Sequence, residues 1–139
     1  MPEEEKPERM LLMLLSRKLI PDSAVSLDDF DTALYRSVAE RLLSGESSAA
    51  IIDRIDGDDR VRVASALGAE FVPDEKSALP MAEDCILQIQ MHRTEKMRAE
   101  LNAQIESADG EARRSLIAQV QQLTQQLNRL KTGRKGWSI

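Results

Sequence analysis

Residues 115–130 read SLIAQVQQLTQQLNRL, and apolar side chains recur there at alternating intervals of four and three residues. The repeat consists of Leu116, Val120, Leu123, Leu127 and Leu130. An α-helix brings residues at this spacing onto one face, whereas a half-buried strand would alternate every second residue. The spacing therefore predicts an amphipathic helix from Glu111 to about Thr132, with its leucine face packed on a second helix.

A second long helix is predicted immediately before this one, because residues 81–107 contain neither proline nor glycine. Asp109 and Gly110 form a turn signal between the two helices. Helices joined by so short a turn must pack antiparallel. The predicted contacts with the leucine face are Met97, Leu101 and Ile105, and the predicted core contacts of the first half are Met81, Cys85, Ile86 and Ile89.

Shorter helices are predicted in the N-terminal part of the chain. The first runs from Pro7 to about Lys18, and the second follows the periodic residues Phe30, Leu34, Val38 and Leu42 and ends at Gly45. Two short helices follow, one capped by Ser47 or Ser48 and broken at Gly57, the other capped by Asp58 or Asp59 and closed at Gly68. Residues 68–80 are expected to connect to the long helix, with Phe71 and Val72 folding back onto the core.

The predicted fold class is all-α, a helical bundle followed by a long helix and a protruding C-terminal antiparallel helical hairpin. Hydrophobic residues make up 42% of the 139 residues but aromatic residues only 3%, which favours an aliphatic helical core. The predicted segments are a linker or boundary at residues 1–6, the bundle at 7–95, the hairpin at 96–132 and a basic tail at 133–139.

Charge is distributed unevenly along the chain. Residues 1–90 carry 19 acidic and 10 basic side chains, whereas residues 91–139 carry 5 acidic and 9 basic side chains. An acidic body with a basic C-terminal arm indicates a surface for a partner. A nucleic acid is one alternative, but the net charge of −5 and the scarcity of aromatic side chains make direct nucleic-acid binding unexpected.

Residues for catalysis or for metal binding are scarce in the sequence. His92 and Cys85 are the only histidine and cysteine, and no glycine-rich phosphate loop occurs. The aspartates at 28, 29, 31, 53, 56, 58 and 59 are interpreted as residues at helix ends rather than as metal ligands. We expect neither a cofactor nor a metal, and no enzymatic activity of this chain on its own.

Location in the cytoplasm is expected, because the sequence lacks the signals that would send it elsewhere. Its longest apolar run, residues 10–15, is too short for a membrane span. Acidic residues precede that run, where a signal peptide would need a positive flank.

The order of these predicted elements resembles that of a known family. The opening PERMLLMLL of residues 7–15, the stretch from Phe30 through Tyr35-Arg36 to Leu42-Leu43, and the two long helices around Asp109-Gly110 are similar to the C-terminal helicase-binding domain of bacterial DnaG-type primases. The resemblance implies a helical bundle with a protruding hairpin, and a partner, the hexameric replicative helicase of the DnaB type. It also implies that the hairpin docks on the helicase's N-terminal domains while the bundle modulates helicase activity in the primosome.

The predicted contact surface is the outer face of the last helix near its C-terminal end. Its residues are Gln122, Gln126, Leu127, Arg129, Leu130 and Lys131, with Arg113 and Arg114 at the tip of the hairpin. The isolated chain is expected to be monomeric and away from membranes. The alternative is an N-terminal domain of the helicase itself, which has a similar bundle, or a self-associating module. The chain ends at Ile139 without a linker toward an ATPase domain, which favours the primase interpretation.

Overall fold

The computed structural model describes the backbone of residues 3–70 and 72–137 and the side chains of residues 4–70 and 72–133. Within these ranges the protein is all-helical and has no strand, as predicted. It divides into two units, Met1–Ile89 and Gln90–Ile139, which we call the first and the second unit. The sequence prediction put the corresponding boundary between residues 95 and 96.

Helices account for most of the described chain. They are α1 (Lys6–Ser16), α2 (Ala33–Leu43), α3 (Ser48–Asp53), α4 (Gly57–Leu67), α5 (Glu75–Ser107) and α6 (Gly110–Trp137). Single turns of 3-10 helix lie at Glu3–Glu5, Asp22–Ala24 and Leu27–Asp29.

The first two helices end in the same hydrogen-bonding pattern. After α1 the Leu19 N–H donates to the Leu14 carbonyl at 3.0 Å. The residue that follows the C-cap, Lys18, has φ 55°. After α2 the Glu46 N–H donates to the Arg41 carbonyl at 3.0 Å, and the equivalent residue is Gly45 with φ 97°. Both are Schellman-type ends, which need one left-handed residue, and the predicted stop at Gly45 is confirmed.

The caps of the two short helices agree only in part with the prediction. Ser47 caps α3, where its hydroxyl accepts the Ala50 N–H at 3.2 Å. The prediction for α4 was wrong, because Asp56 occupies the N-cap and Asp58 and Asp59 lie inside the first turn. Gly57, with φ 63°, is the first residue of α4 rather than only the break after α3. Acidic residues are favoured both at the cap and in the first turn, so composition alone does not separate the two.

The first unit has one hydrophobic core. Its fully buried large side chains are Leu11, Leu12, Met13 and Leu14 of α1, Phe30 before α2, Tyr35 and Val38 of α2, Ile51 of α3 and Val63 of α4. From α5 the core receives Ala78, Ala82, Cys85 and Ile89, at intervals of four, three and four residues. Met81 and Ile86, which were predicted as core contacts, pack at its margin and are only partly buried.

Helix α5 begins earlier than predicted. Asp74 accepts the Ser77 N–H at 2.8 Å, and hydrogen bonds from Ser77 hold the pKa of Asp74 below its ordinary value. The helix starts at Glu75 and contains Pro80, which the prediction treated as the end of a connector. Pro80 is only the sixth residue of the helix, so its missing N–H removes a single early hydrogen bond.

The connector before α5 differs from the prediction at Val72. Its side chain is 42% exposed, so it does not fold back onto the core. Phe71, the other residue predicted to do so, lies outside the described residues.

Helix α6 continues to Trp137, beyond the predicted end near Thr132. Part of the predicted basic tail is therefore helical, although the side chains after Gly133 lie outside the described residues. No helix in the described ranges combines the length and the apolar character needed to cross a membrane.

Candidate functional site

The second unit consists of the C-terminal part of α5 and the whole of α6. Only Ala108 and Asp109 separate the two helices, and Gly110 begins α6 with φ 58°, which confirms the predicted turn. The Arg98 guanidinium donates to the Thr124 hydroxyl at 3.3 Å. Arg98 and Thr124 lie 26 positions apart on different helices, so α5 and α6 contact each other at a distance from the turn.

The leucine face is the least exposed part of α6 among its described side chains. Leu127 is 1% exposed, and Leu116, Val120, Leu123 and Leu130 are half-buried, whereas most of the remaining described side chains are exposed. The prediction that this spacing marks the packed face of a helix is confirmed.

The matching face of α5 differs from the prediction at Met97, whereas the predicted Leu101 and Ile105 are half-buried. Met97 was expected to pack inward, but its side chain is 48% exposed. The less exposed positions in the C-terminal part of α5 instead include Thr94, Arg98, Leu101 and Ile105, again at intervals of four and three. Thr94 is buried, and its hydroxyl donates to the Gln90 carbonyl at 2.8 Å, which satisfies its polar group within the helix.

The predicted contact residues of α6 fall into two groups. Gln122, Gln126, Arg129 and Lys131 are exposed, and Leu130 is half-buried. Leu127 is buried, so in this structure it offers no surface to a partner and supports the helix from inside.

The described cations of α6 lie at its two ends. Arg113, Arg114, Arg129 and Lys131 are exposed, and within the described side chains none of them forms an ion pair. Residues 111–139 contain one acidic and six basic side chains, whereas residues 91–110 contain four acidic and three basic ones. The basic character of the C-terminal arm therefore belongs to α6 alone.

The acidic residues at helix ends have structural partners. Asp29 accepts the Ser26 N–H at 2.8 Å and completes a capping box with Ser26. Asp53 and Asp59 pair with Arg60 at 3.7 Å and Arg62 at 3.5 Å. Among the described residues no group of histidine, cysteine and acidic side chains could hold a metal ion. The interpretation of these aspartates as helix-end residues agrees with their positions.

Helix α1 contains a buried carboxylate that was not predicted from the sequence. Glu8 is 3% exposed; one oxygen accepts the Thr32 N–H at 3.0 Å and the other the Thr32 hydroxyl at 2.9 Å. Thr32 is the N-cap of α2, so Glu8 joins the starts of two helices. Burial raises the pKa of Glu8, although the bonds from Thr32 oppose that shift. Its position three and four residues before Leu11 and Leu12 could have indicated that Glu8 faces the core.

A second polar cluster connects the N-terminal segment to α4. Glu5 forms an ion pair with Arg62, whose guanidinium lies 5.3 Å from the centre of the Tyr35 ring. Burial would raise the pKa of Glu5, but the hydrogen bond and charge of Arg62 outweigh burial and hold the pKa below its ordinary value. The predicted linker at residues 1–6 thus includes a side chain with a tertiary contact.

Comparisons of the chain with protein-family models, with curated proteins and with solved structures give no match.

Proposed function

We propose that this chain is the helicase-binding and helicase-modulating domain of a bacterial DNA primase. It would act in the cytoplasm and dock on the N-terminal domains of the hexameric DnaB-type replicative helicase during DNA replication. The proposed arrangement is a helical bundle over residues 7–95, from which an antiparallel hairpin over residues 96–132 protrudes. Support comes from the resemblance of element order to that family and from the two long helices around Asp109 and Gly110.

The observation that carries the proposal is the exposed polar face of α6. Gln122, Gln126 and Arg129 are exposed, and within the described side chains no hydrogen bond or ion pair occupies them. Long amide and guanidinium groups without intramolecular partners are suited to a helix that lies along a partner's surface. The chain itself contributes no catalytic group in this proposal, so its action would be exerted through binding.

The test is a titration of the whole chain with the N-terminal domains of a DnaB-type helicase. The variant carries Gln122→Ala, Gln126→Ala and Arg129→Ala, which remove exposed atoms and leave the leucine face intact. We expect its affinity to fall by about tenfold or more, since a few interface residues carry most of the binding free energy. Deleting residues 123–139 would be a poorer test, because it also removes the buried Leu127.

The matched control replaces three exposed residues of α5, Glu100, Asn102 and Gln104, by alanine. Its affinity should remain within about twofold of the parent chain, as most surface contacts are energetically near neutral. Absence of binding by the parent chain would refute the proposal. Equal losses in both variants would refute the assignment of the contact to α6.

Self-association is the alternative function that one observation favours. Leu116, Val120, Leu123 and Leu130 are half-buried rather than buried, so they retain apolar surface that could pair with a second copy. Sedimentation of the chain over a range of concentrations separates the two functions. A monomer at all concentrations contradicts self-association, and a dimer that Leu123→Ala dissociates would favour it over docking on a helicase.

A further inference from the structure

Three polar contacts at the surface of the first unit hold α4 and the residues after it against α1 and the turn before α1. They are Glu5 with Arg62, Arg9 with Ser65, and Arg17 with the carbonyls of Leu67 and Ala69. We call these three contacts the polar seam. The Arg9 guanidinium donates to the Ser65 hydroxyl at 2.7 Å, and the shorter of the two bonds from Arg17 measures 2.6 Å. Because Ser65 and Arg17 are exposed, water competes for the groups of the seam.

Apolar packing holds α4 less firmly than it holds α1. The buried residues of α4 are Val63, Ala66 and Leu67, and Val61 is 68% exposed. In α1 the consecutive hydrophobic residues 11–15 are all buried. An element with few buried apolar groups opens at a lower free energy than the rest of a fold. The attachment of α4 therefore depends on the polar seam as well as on a small apolar contact.

Glycine occurs at both ends of α4. Gly57 begins the helix with φ 63°, a left-handed conformation that costs glycine little. Gly68 is the C-cap, where an added Cβ would lie 2.9 Å from the Ala64 carbonyl oxygen. The hinges of moving elements are residues at element ends that absorb changes of φ and ψ, and small residues are common there. Both ends of α4 therefore suit a hinge.

We propose that α4 is a hinged flap of the first unit and that the polar seam is its latch. The flap opens as one body about Gly57 and Gly68, while α1 and α2 stay packed on each other. Opening uncovers Tyr35 of α2, which is 0% exposed in the closed structure and whose ring centre lies 5.3 Å from the Arg62 guanidinium carbon. The flap belongs to the first unit alone and does not depend on the function proposed for α6.

The alternative is that α4 separates only when the whole first unit unfolds. The contact between Glu8 and Thr32 distinguishes the two cases, because it joins α1 to the start of α2 and includes no residue of α4. This contact is kept when the flap opens and is lost when the unit unfolds, whereas the polar seam is lost in both cases. A substitution in the seam should therefore favour both kinds of opening, and a substitution of Glu8 should favour only complete unfolding.

Hydrogen exchange of the whole chain under native conditions measures both kinds of opening. In the parent chain the amides of residues 61–67 should exchange together, at least about tenfold faster than those of residues 11–15. The combined variant Arg9→Gln and Arg17→Gln removes two contacts of the seam and should accelerate exchange in residues 61–67 by about tenfold. Glu8→Ala is the matched control. It should accelerate exchange in residues 11–15 by about tenfold and leave residues 61–67 within about twofold of the parent chain.

Nitration of Tyr35 by tetranitromethane tests whether the flap covers that side chain. Tyr35 is the only tyrosine of the chain, so a nitrated peptide identified by mass spectrometry reports on this position alone. The nitration rate should rise in the combined variant by the same factor as exchange in residues 61–67. In Glu8→Ala the nitration rate should stay close to that of the parent chain.

Each outcome supports the flap or overturns it. Equal exchange in residues 61–67 and 11–15 of the parent chain overturns it, and so does equal acceleration of both segments by Glu8→Ala. Faster exchange in α4 without faster nitration overturns the uncovering of Tyr35. If circular dichroism shows that the combined variant does not fold, Glu5→Gln replaces it. That variant weakens only the partly exposed ion pair with Arg62 and should accelerate exchange in α4 by roughly twofold to fivefold.

Discussion

The arginines of the first unit differ from those in the described part of α6. In the first unit six of the seven arginines contact other side chains or carbonyls: Arg9, Arg17, Arg36, Arg54, Arg60 and Arg62. In α6 the described cations have no such contact. The same kind of side chain therefore stabilises the fold in one region and is available to a partner in the other.

The two units also differ in how many side chains they bury. The first unit has a continuous core with many fully buried side chains, whereas in the described part of the second unit only Thr94 and Leu127 are buried. A two-helix layer cannot enclose its apolar face completely. We therefore expect the second unit to open at lower free energy than the first.

Replacement of core leucines should have the largest effect and should differ between the units. Leu14→Ala removes a fully buried side chain of α1 and should cost about 2–5 kcal/mol. Leu123→Ala, at a half-buried position, should cost about 1 kcal/mol. Denaturant unfolding gives both values, and hydrogen exchange should locate the second loss in residues 90–133. Equal costs at the two positions would contradict the difference in burial.

Substitution of Glu8 should have the next largest effect on stability. Glu8→Ala leaves the Thr32 N–H and hydroxyl without their acceptor in a buried environment, which should cost about 1–3 kcal/mol. Glu8→Gln keeps one carbonyl acceptor and should cost less. Thermal unfolding of the three proteins at neutral pH tests the order.

The stability of the parent chain relative to Glu8→Gln should depend on pH. The pKa of Glu8 is raised in the folded state, so the folded protein binds the proton more tightly than the unfolded chain. The stabilisation linked to protonation is fully present below the ordinary glutamate pKa and is lost as pH rises through the raised value. The stability of the parent chain relative to Glu8→Gln should therefore increase as pH falls through this window. An increase in its relative stability with rising pH would contradict the burial of the carboxylate.

Substitution of an arginine that has intramolecular contacts and of one that has none should differ less in its effect on stability. The Arg17 guanidinium donates to the carbonyls of Ala69 at 2.6 Å and Leu67 at 3.4 Å, at the end of α4. Arg17→Gln should destabilise the chain by about 1 kcal/mol. Arg129→Gln, which removes no intramolecular contact, should change stability by less than about 0.5 kcal/mol. A destabilisation by Arg129→Gln as large as that of Arg17→Gln would show that α6 uses its cations internally.

Substitutions at the helix ends of the first unit should have the smallest effect on stability. Lys18 adopts the left-handed conformation that Gly45 adopts at the equivalent position of α2. Lys18→Gly should stabilise the chain by about 0.5–1 kcal/mol, and Gly45→Ala, whose new methyl group meets no atom within 4 Å, should destabilise it by a similar amount. Differential scanning calorimetry of both variants should show shifts of opposite sign.

Much of the fold could be predicted from spacing alone. The leucine repeat identified the packed face of α6, and the glycines at 45 and 110 identified a helix end and a turn, since each signal depends on local geometry. The inward face of α5 was misread at Met97 because its phase is set by Thr94, a polar residue that a search for apolar residues does not include.

The candidate site was less predictable than the fold. Exposure of Gln122, Gln126 and Arg129 could be expected from their positions opposite the leucines, and burial of Leu127 from its place in the leucine repeat, which its inclusion among the contact residues overlooked. The Glu8 contact joins residues 24 positions apart and has no local signal beyond its helical phase. Long-range polar contacts of this kind require the tertiary structure.

Because Cys85 is buried, the reactivity of its thiol can be used to measure opening of the core. Cys85 is the only cysteine of the chain and lies within the core of the first unit. A thiol reagent can reach it only when that core opens, so the rate of labelling measures the opening equilibrium without any engineered probe. Labelling in the presence and absence of a partner would then report whether an event at α6 alters the dynamics of a region that the partner does not touch.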